Sequence, residues 1–149
     1  MKRSRDQVKL VEHRMFEYLS EQYDLTFATT ENFAQLDGVL MKNNKIHRIC
    51  EVKVRFMSLA QLKDMGSLLI SYNKLQAGRD ASRAFQAPFV ILLYLVESDN
   101  IVSIKMTNRD GEFISGFKKE VTRTNYNIYG GYAHRMNAFV ELTRMSLIK

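Results

Sequence analysis

The stretch QLDGVLMKNNKIHRICEVKVR, Gln35 to Arg55, decides the fold. Two apolar runs, Phe33 to Met41 and Ile46 to Phe56, flank a Lys42-Asn43-Asn44-Lys45 turn, which is the pattern of a β-hairpin. Strand side chains alternate between faces, so Cys50, Val52 and Val54 share one side while Ile49, Glu51, Lys53 and Arg55 share the other. The charged side is therefore not a simple dry core face. If the runs pair, Asp37 approaches Glu51 across the ladder, and two carboxylates converge with the Lys53 ammonium. Such a cluster suits a hard divalent cation on oxygen ligands, with an amine beside the water it polarises.

Upstream, Asp6 to Tyr23 reads as an amphipathic helix, with Ser4 or Asp6 as N-cap. At 100° per residue Val8, Val11, Met15, Phe16 and Leu19 share a face. Glu12 falls inside that face, and Glu17 and Glu21 outside it. A carboxylate aimed inward needs a partner or a cation, unless Glu12 sits at the stripe's edge and reaches solvent or an arginine. Leu25 to Thr29 is a short strand, followed by a polar break at Thr30-Glu31-Asn32.

Downstream, Ser58 to Gln76 is expected as one helix, capped by Ser58, with Leu62, Met65, Leu69, Tyr72 and Gln76 at helical spacing and Gly78 as its C-cap. Arg79 to Gln86 is a basic loop or short helix stopped by Pro88. The continuous apolar run Phe89 to Val96 is expected to be a central strand covered on both faces. Ile101 to Met106 alternates as a strand, and Asn108-Arg109-Asp110-Gly111 is a turn. Phe117 to His134 reads as an irregular tail, and Val140 to Ile148 as a closing strand or helix. The order points to an α/β fold with a mixed sheet and helices packed against it. The expected organisation is a single domain over 1–149, with a core at about 6–106 and a C-terminal extension at 107–149.

The charge balance, 22 Lys and Arg against 16 acids for +6 overall, favours polyanionic partners. Lys2-Arg3-Ser4-Arg5 is either a phosphate-contacting arm or a frayed end. No apolar stretch nears the roughly 20 residues of a membrane helix, and no apolar signal core follows the basic start. The lone Cys50 excludes an internal disulfide framework and fits a reducing, cytoplasmic setting. His13, His47 and His134 lack metal-ligand spacing.

A helix-borne acid (Glu12), an Asp on one strand (Asp37) and Glu51-x-Lys53 on the next, before a helix and an apolar strand, together resemble the PD-(D/E)XK nuclease superfamily. This group includes restriction endonucleases and Holliday-junction resolvases. The resemblance covers Glu12 to Val96, and Leu36 stands where the superfamily often has proline before the Asp. It implies a restriction-endonuclease-like αβββαβ core and a Mg²⁺-dependent phosphodiesterase, with Mn²⁺ able to substitute. Asp37 and Glu51 would be metal-binding acids, joined by the Val52 carbonyl, with Lys53 as catalytic lysine and Glu12 holding a further water or cation. Tyr72 and Gln76 match weakly a polar position on the following helix. The implied partner is nucleic acid, DNA first, cut by structure or end, with a homodimer supplying two sites. Arg48, Arg55, Arg79 and Arg83 are candidate phosphate contacts, with Lys118, Lys119, Arg123 and Arg135 beside them. Tyr126, Tyr129 and Tyr132 would stack on bases or pack the tail. The competing expectation is a non-catalytic nucleic-acid-binding module on the same fold.

Overall fold

The computed structural model describes residues 5–29, 36–126 and 132–149. Its elements run α1 (Arg5–Tyr23), β1 (Thr26–Thr29), β2 (Gly38–Lys42), β3 (Lys45–Arg55), α2 (Leu59–Met65), β4 (Ser67–Ser71), α3 (Tyr72–Phe85), β5 (Phe89–Leu95), β6 (Asn100–Lys105), β7 (Phe117–Tyr126), β8 (Tyr132–Glu141) and β9 (Met145–Leu147). Six strands form the main sheet in the order β1-β2-β3-β5-β6-β9, and β4-β8-β7 form a second sheet. Only β3 and β5 pair in parallel within the main sheet, so the sheet is mixed. The fold is α/β, in the αβββαβ order, with α2 and β4 inserted before the second helix of that series.

The hairpin forms where the sequence places it. Asn43 and Asn44 both take positive φ, 53° and 60°, which a two-residue turn between twisted strands requires and asparagine tolerates. The ladder starts at Gly38, and Phe33 to Gln35 lie outside the described residues.

The main sheet is covered on both faces. Met15 and Leu19 of α1 pack with Leu40, Cys50, Val52, Val90 and Leu92 on one side. On the other, Ile49, Ile91, Leu93 and Leu95 meet Leu75 of α3 and Leu68, Ile70, Ala138 and Val140 of the second sheet. Burial on both faces explains the unbroken apolar run of β5, which sits between β3 and β6.

The structure corrects the expected helix over Ser58 to Gln76. Ser58 does cap a helix, with a reciprocal capping box to Gln61, but α2 stops at Met65 because Gly66 enters the left-handed region at φ 77°. Leu68 and Ile70 then alternate inward as β4, while Leu69 is 41% and Met65 60% exposed. The helical spacing of leucines was coincidental. Residues 72–85 form one further helix, so Arg79 to Phe85 are helical and Gly78 is internal to α3 instead of a cap. Gly78 serves packing: a Cβ there would lie 2.3–2.4 Å from the Phe89 ring. Gln86, at φ 52°, ends α3.

The segment beyond residue 116 is also more regular than expected. Strands β7 and β8 form an antiparallel ribbon, β8 pairs with β4, and β9 adds to the edge of β6. Its alternating Tyr, Lys, Arg and Asn are the composition of strands with an exposed face, which resembles loop composition. Gly130 and Gly131 lie outside the described residues.

Candidate metal and phosphodiester site

The Gly38–Cys50 pairing carries Asp37, one residue earlier, to the level of Glu51. There the Val52 N–H donates to Asp37 Oδ2 at 2.6 Å, a short charge-assisted bond that fixes the carboxylate against β3. Glu51 is only 1% exposed. Its Oε1 lies 3.3 Å from Lys53 Nζ, and its Oε2 lies 3.7 Å from Lys74 Nζ. Oε2 is buried without a hydrogen-bond partner. Burial, then the negative charge of Asp37, push the Glu51 carboxyl up to about 7, against the pull of Lys53 and Lys74.

Glu12 is half-buried on α1, facing the groove beside β1. Its pKa is raised by burial and by Asp37, and lowered by Lys9 and Lys53, so it shares an electrostatic neighbourhood with the hairpin acids. The structure therefore gathers Asp37, Glu51 and Lys53, with Glu12 at the margin.

Lys74 was missed at the sequence level. Counted from Tyr72, the inward stripe of α3 is Lys74, Leu75, Gly78 and Ser82, and Lys74 ends it beside Glu51. A lysine in the first turn opposes the helix dipole, which is a signal that a carboxylate lies close by. Tyr72 and Gln76 point elsewhere, because each lies two residues from Lys74, about 160° around the helix by the shorter way. Tyr72 packs against Phe117 under the Lys119 ammonium, and Gln76 lines an outer cleft with Asn73 and Asp80. Neither reaches Glu51 through any contact among the described residues.

The four candidate phosphate-contacting arginines do not form one surface. Arg55 donates to the carbonyls of Val54 and Leu69, at 3.2 and 3.5 Å. Arg79 pairs with Asp80 at 3.4 Å, and the Arg83 stem lies against Gly111. Arg48 stands at the opposite end of β3 from Arg55. The side chains of Arg5, Arg123, Tyr126 and Tyr132, and all of Lys2 to Ser4 and Tyr129, lie outside what is described. Cys50 is inert: burial pushes its thiol up to about 12. His13 makes an exposed pair with Glu17 at 2.8 Å.

Among the described residues no group of three or more His, Cys, Asp or Glu side chains is placed to hold a metal ion. Mg²⁺ does not demand one, since it is commonly held by one or two carboxylates and keeps several waters. A buried carboxylate oxygen lacking a hydrogen bond, a second carboxylate at the same level of the hairpin, and a main-chain carbonyl between Glu51 and Lys53 make a hard-oxygen donor set that fits such an ion.

No helix among the described residues is long and apolar enough to cross a membrane. No family model and no curated protein matches the sequence. Among solved structures, the chain is similar to a Holliday junction resolvase from the archaeal hyperthermophile Archaeoglobus fulgidus. The identity is 16%, over 87% of this chain and 84% of that chain, with a TM-score of 0.48.

Proposed function

We propose that this protein is a divalent-cation-dependent phosphodiesterase that cuts nucleic acid, DNA first, at a structure or an end. The observation that carries the reading is the Glu51 carboxylate, held at 1% exposure beside Asp37 and Lys53 with one oxygen left without a hydrogen bond. Burying a carboxylate beside another is costly and persists where a cation or a reaction uses it.

Asp37, Glu51 and the Val52 carbonyl would hold Mg²⁺ or Mn²⁺, with Glu12 at the outer edge. The cation would supply Lewis acidity toward the phosphodiester and neutralise the paired carboxylates. The residues do the rest. The Val52 N–H orients Asp37, so this acid arrives in place as the hairpin closes. Lys53, 26% exposed at the side chain, can meet solvent and substrate while remaining tethered to Glu51; it orients a water and offers positive charge to the phosphate. Lys74 approaches from α3 and balances the second Glu51 oxygen. Among the described residues one copy carries one such centre, so cutting both strands of a duplex calls for a homodimer.

Lys53→Ala should lower Mg²⁺-dependent cleavage by about 10²–10⁴-fold while leaving folding and DNA binding close to wild type. A panel of labelled single strand, duplex, flap, four-way junction and RNA with Mn²⁺ reads both activity and substrate. Undiminished cleavage by the variant refutes the assignment.

The second reading is a non-catalytic nucleic-acid-binding module. It is favoured by the two ammonium groups flanking Glu51, which balance its charge without a cation. Binding that survives EDTA, with no cleavage of any substrate in Mg²⁺ or Mn²⁺, selects that reading.

A further inference from the structure

A cavity of ≈ 370 Å³ opens at the foot of the main sheet, where β3 and β5 begin and β6 ends. Ile46 and Pro88 give it an apolar wall, and His47, Arg48, Lys105 and Arg109 give it a basic one. Among the described residues no carboxylate lines it. Three separate elements bring these cations together: the start of β3, the end of β6 and the turn after β6.

Both guanidinium groups are anchored, and neither is neutralised. Arg48 Nη1 donates to the His47 carbonyl at 2.9 Å, and Arg109 Nε donates to the Gln86 carbonyl at 3.2 Å. Each retains further N–H donors, since a guanidinium carries five. Among the described residues none of Arg48, Lys105 and Arg109 pairs with a carboxylate. His47 and Arg48 are half-buried while Lys105 and Arg109 are exposed at the rim, so like charges converge on one concave spot where an anion would offset them. The local electrostatics agree: burial lowers the Arg48 pKa and Arg109 adds to the effect, while burial, Arg48 and Lys42 lower that of His47.

We propose that this cavity binds a phosphate group, gripped by the Arg48 and Arg109 forks with Lys105 at the rim. Planar guanidinium forks match phosphate oxygens, and the volume lies in the range of small-ligand sites, about 300–1,000 Å³. The site is separate from the candidate metal centre. Arg48 and Glu51 are three residues apart on β3, roughly 10 Å along the strand, and project from opposite faces. The phosphate belongs either to a polynucleotide end or to a free nucleotide, and both can present the same terminal phosphate monoester.

The test uses the full chain in EDTA, so that it reads binding whether or not the protein cleaves anything. Inorganic phosphate, a mononucleotide and a 5′-phosphorylated oligonucleotide are titrated by ¹H–¹⁵N NMR against wild type, Arg109→Gln, Arg48→Gln and the remote control Lys63→Gln. Phosphate should shift the amide or side-chain signals of Arg48, Gln86 and Arg109. Binding should weaken at least tenfold in both arginine variants and stay at the wild-type level in Lys63→Gln. Arg109 is exposed, so its variant keeps the proposal testable if Arg48→Gln fails to fold. Tighter binding of the oligonucleotide than of the mononucleotide identifies the polymer as the source, and equal binding identifies the free nucleotide; either supports the site. Shifts elsewhere only, or equal affinity in all variants, overturns it.

Discussion

Glu51 couples the candidate site to the stability of the fold. Its carboxyl ordinarily titrates at 4.5 and in the folded protein is pushed up to about 7, by burial first and Asp37 second. Between those values the folded chain keeps a proton that the unfolded chain releases, so stability falls as pH rises through that window. The contribution is fully present below 4.5 and lost above 7, with a span of about 3 kcal/mol at 1.36 kcal/mol per pKa unit. Glu12 is shifted in the same direction and adds to the trend. Glu51→Gln cannot ionise, so urea unfolding between pH 4.5 and 8 should show a markedly shallower decline than wild type. Parallel declines in the two proteins would show that Glu51 ionises freely. Asp37, Glu51 and Lys53 were legible because strand alternation and hairpin closure are local rules, and Asn43-Asn44 satisfies the turn. Lys74 was not, because its position depends on where α3 begins.

At the scale of elements, everything between Ser58 and Phe85 turns on Gly66. A glycine inside a continuous helix is a weak point, and replacing it by alanine would stabilise that helix by about 1 kcal/mol. Here Gly66 holds φ 77°, and no atom lies within 4 Å of where an added methyl would sit, so the backbone, and not space, is what alanine would strain. Gly66→Ala should therefore destabilise the protein by about 1 kcal/mol in chemical denaturation. A stabilised variant would restore the single helix. The sign of this one substitution separates the two arrangements. The sequence points to a helix here for a physical reason: Leu62, Leu69 and Gln76 recur every seven residues, which a helix also satisfies, while the alternation of Leu68 and Ile70 is only five residues long in β4. Such a short strand is specified by its partner β8, nearly 70 residues away in sequence, and no local pattern carries that information. The β7–β8 ribbon is close in sequence, and it is its polar, loop-like composition that hides it. The central strand β5 was legible because burial on two faces leaves an unmistakable apolar run.

Taken whole, the molecule carries +6, with several cations around a cavity at one end of the sheet and two lysines beside Glu51. Association with a polynucleotide should thus be driven by counterion release. With about four phosphate contacts, raising monovalent salt from 50 to 200 mM should weaken DNA binding roughly 10²-fold. Fluorescence anisotropy across that range checks it, and an affinity indifferent to salt would rule out phosphate-led binding. The pairing of β4 with β8 has a further consequence, for the order of assembly. During synthesis α1, the hairpin and β5 emerge with most of their partners, but Leu68 and Ile70 must wait for the chain to reach Glu141 before their ladder can close. Until then that greasy edge stands open on the ribosome, which makes the interval before β8 appears the moment at which a nascent chain is most in need of a chaperone.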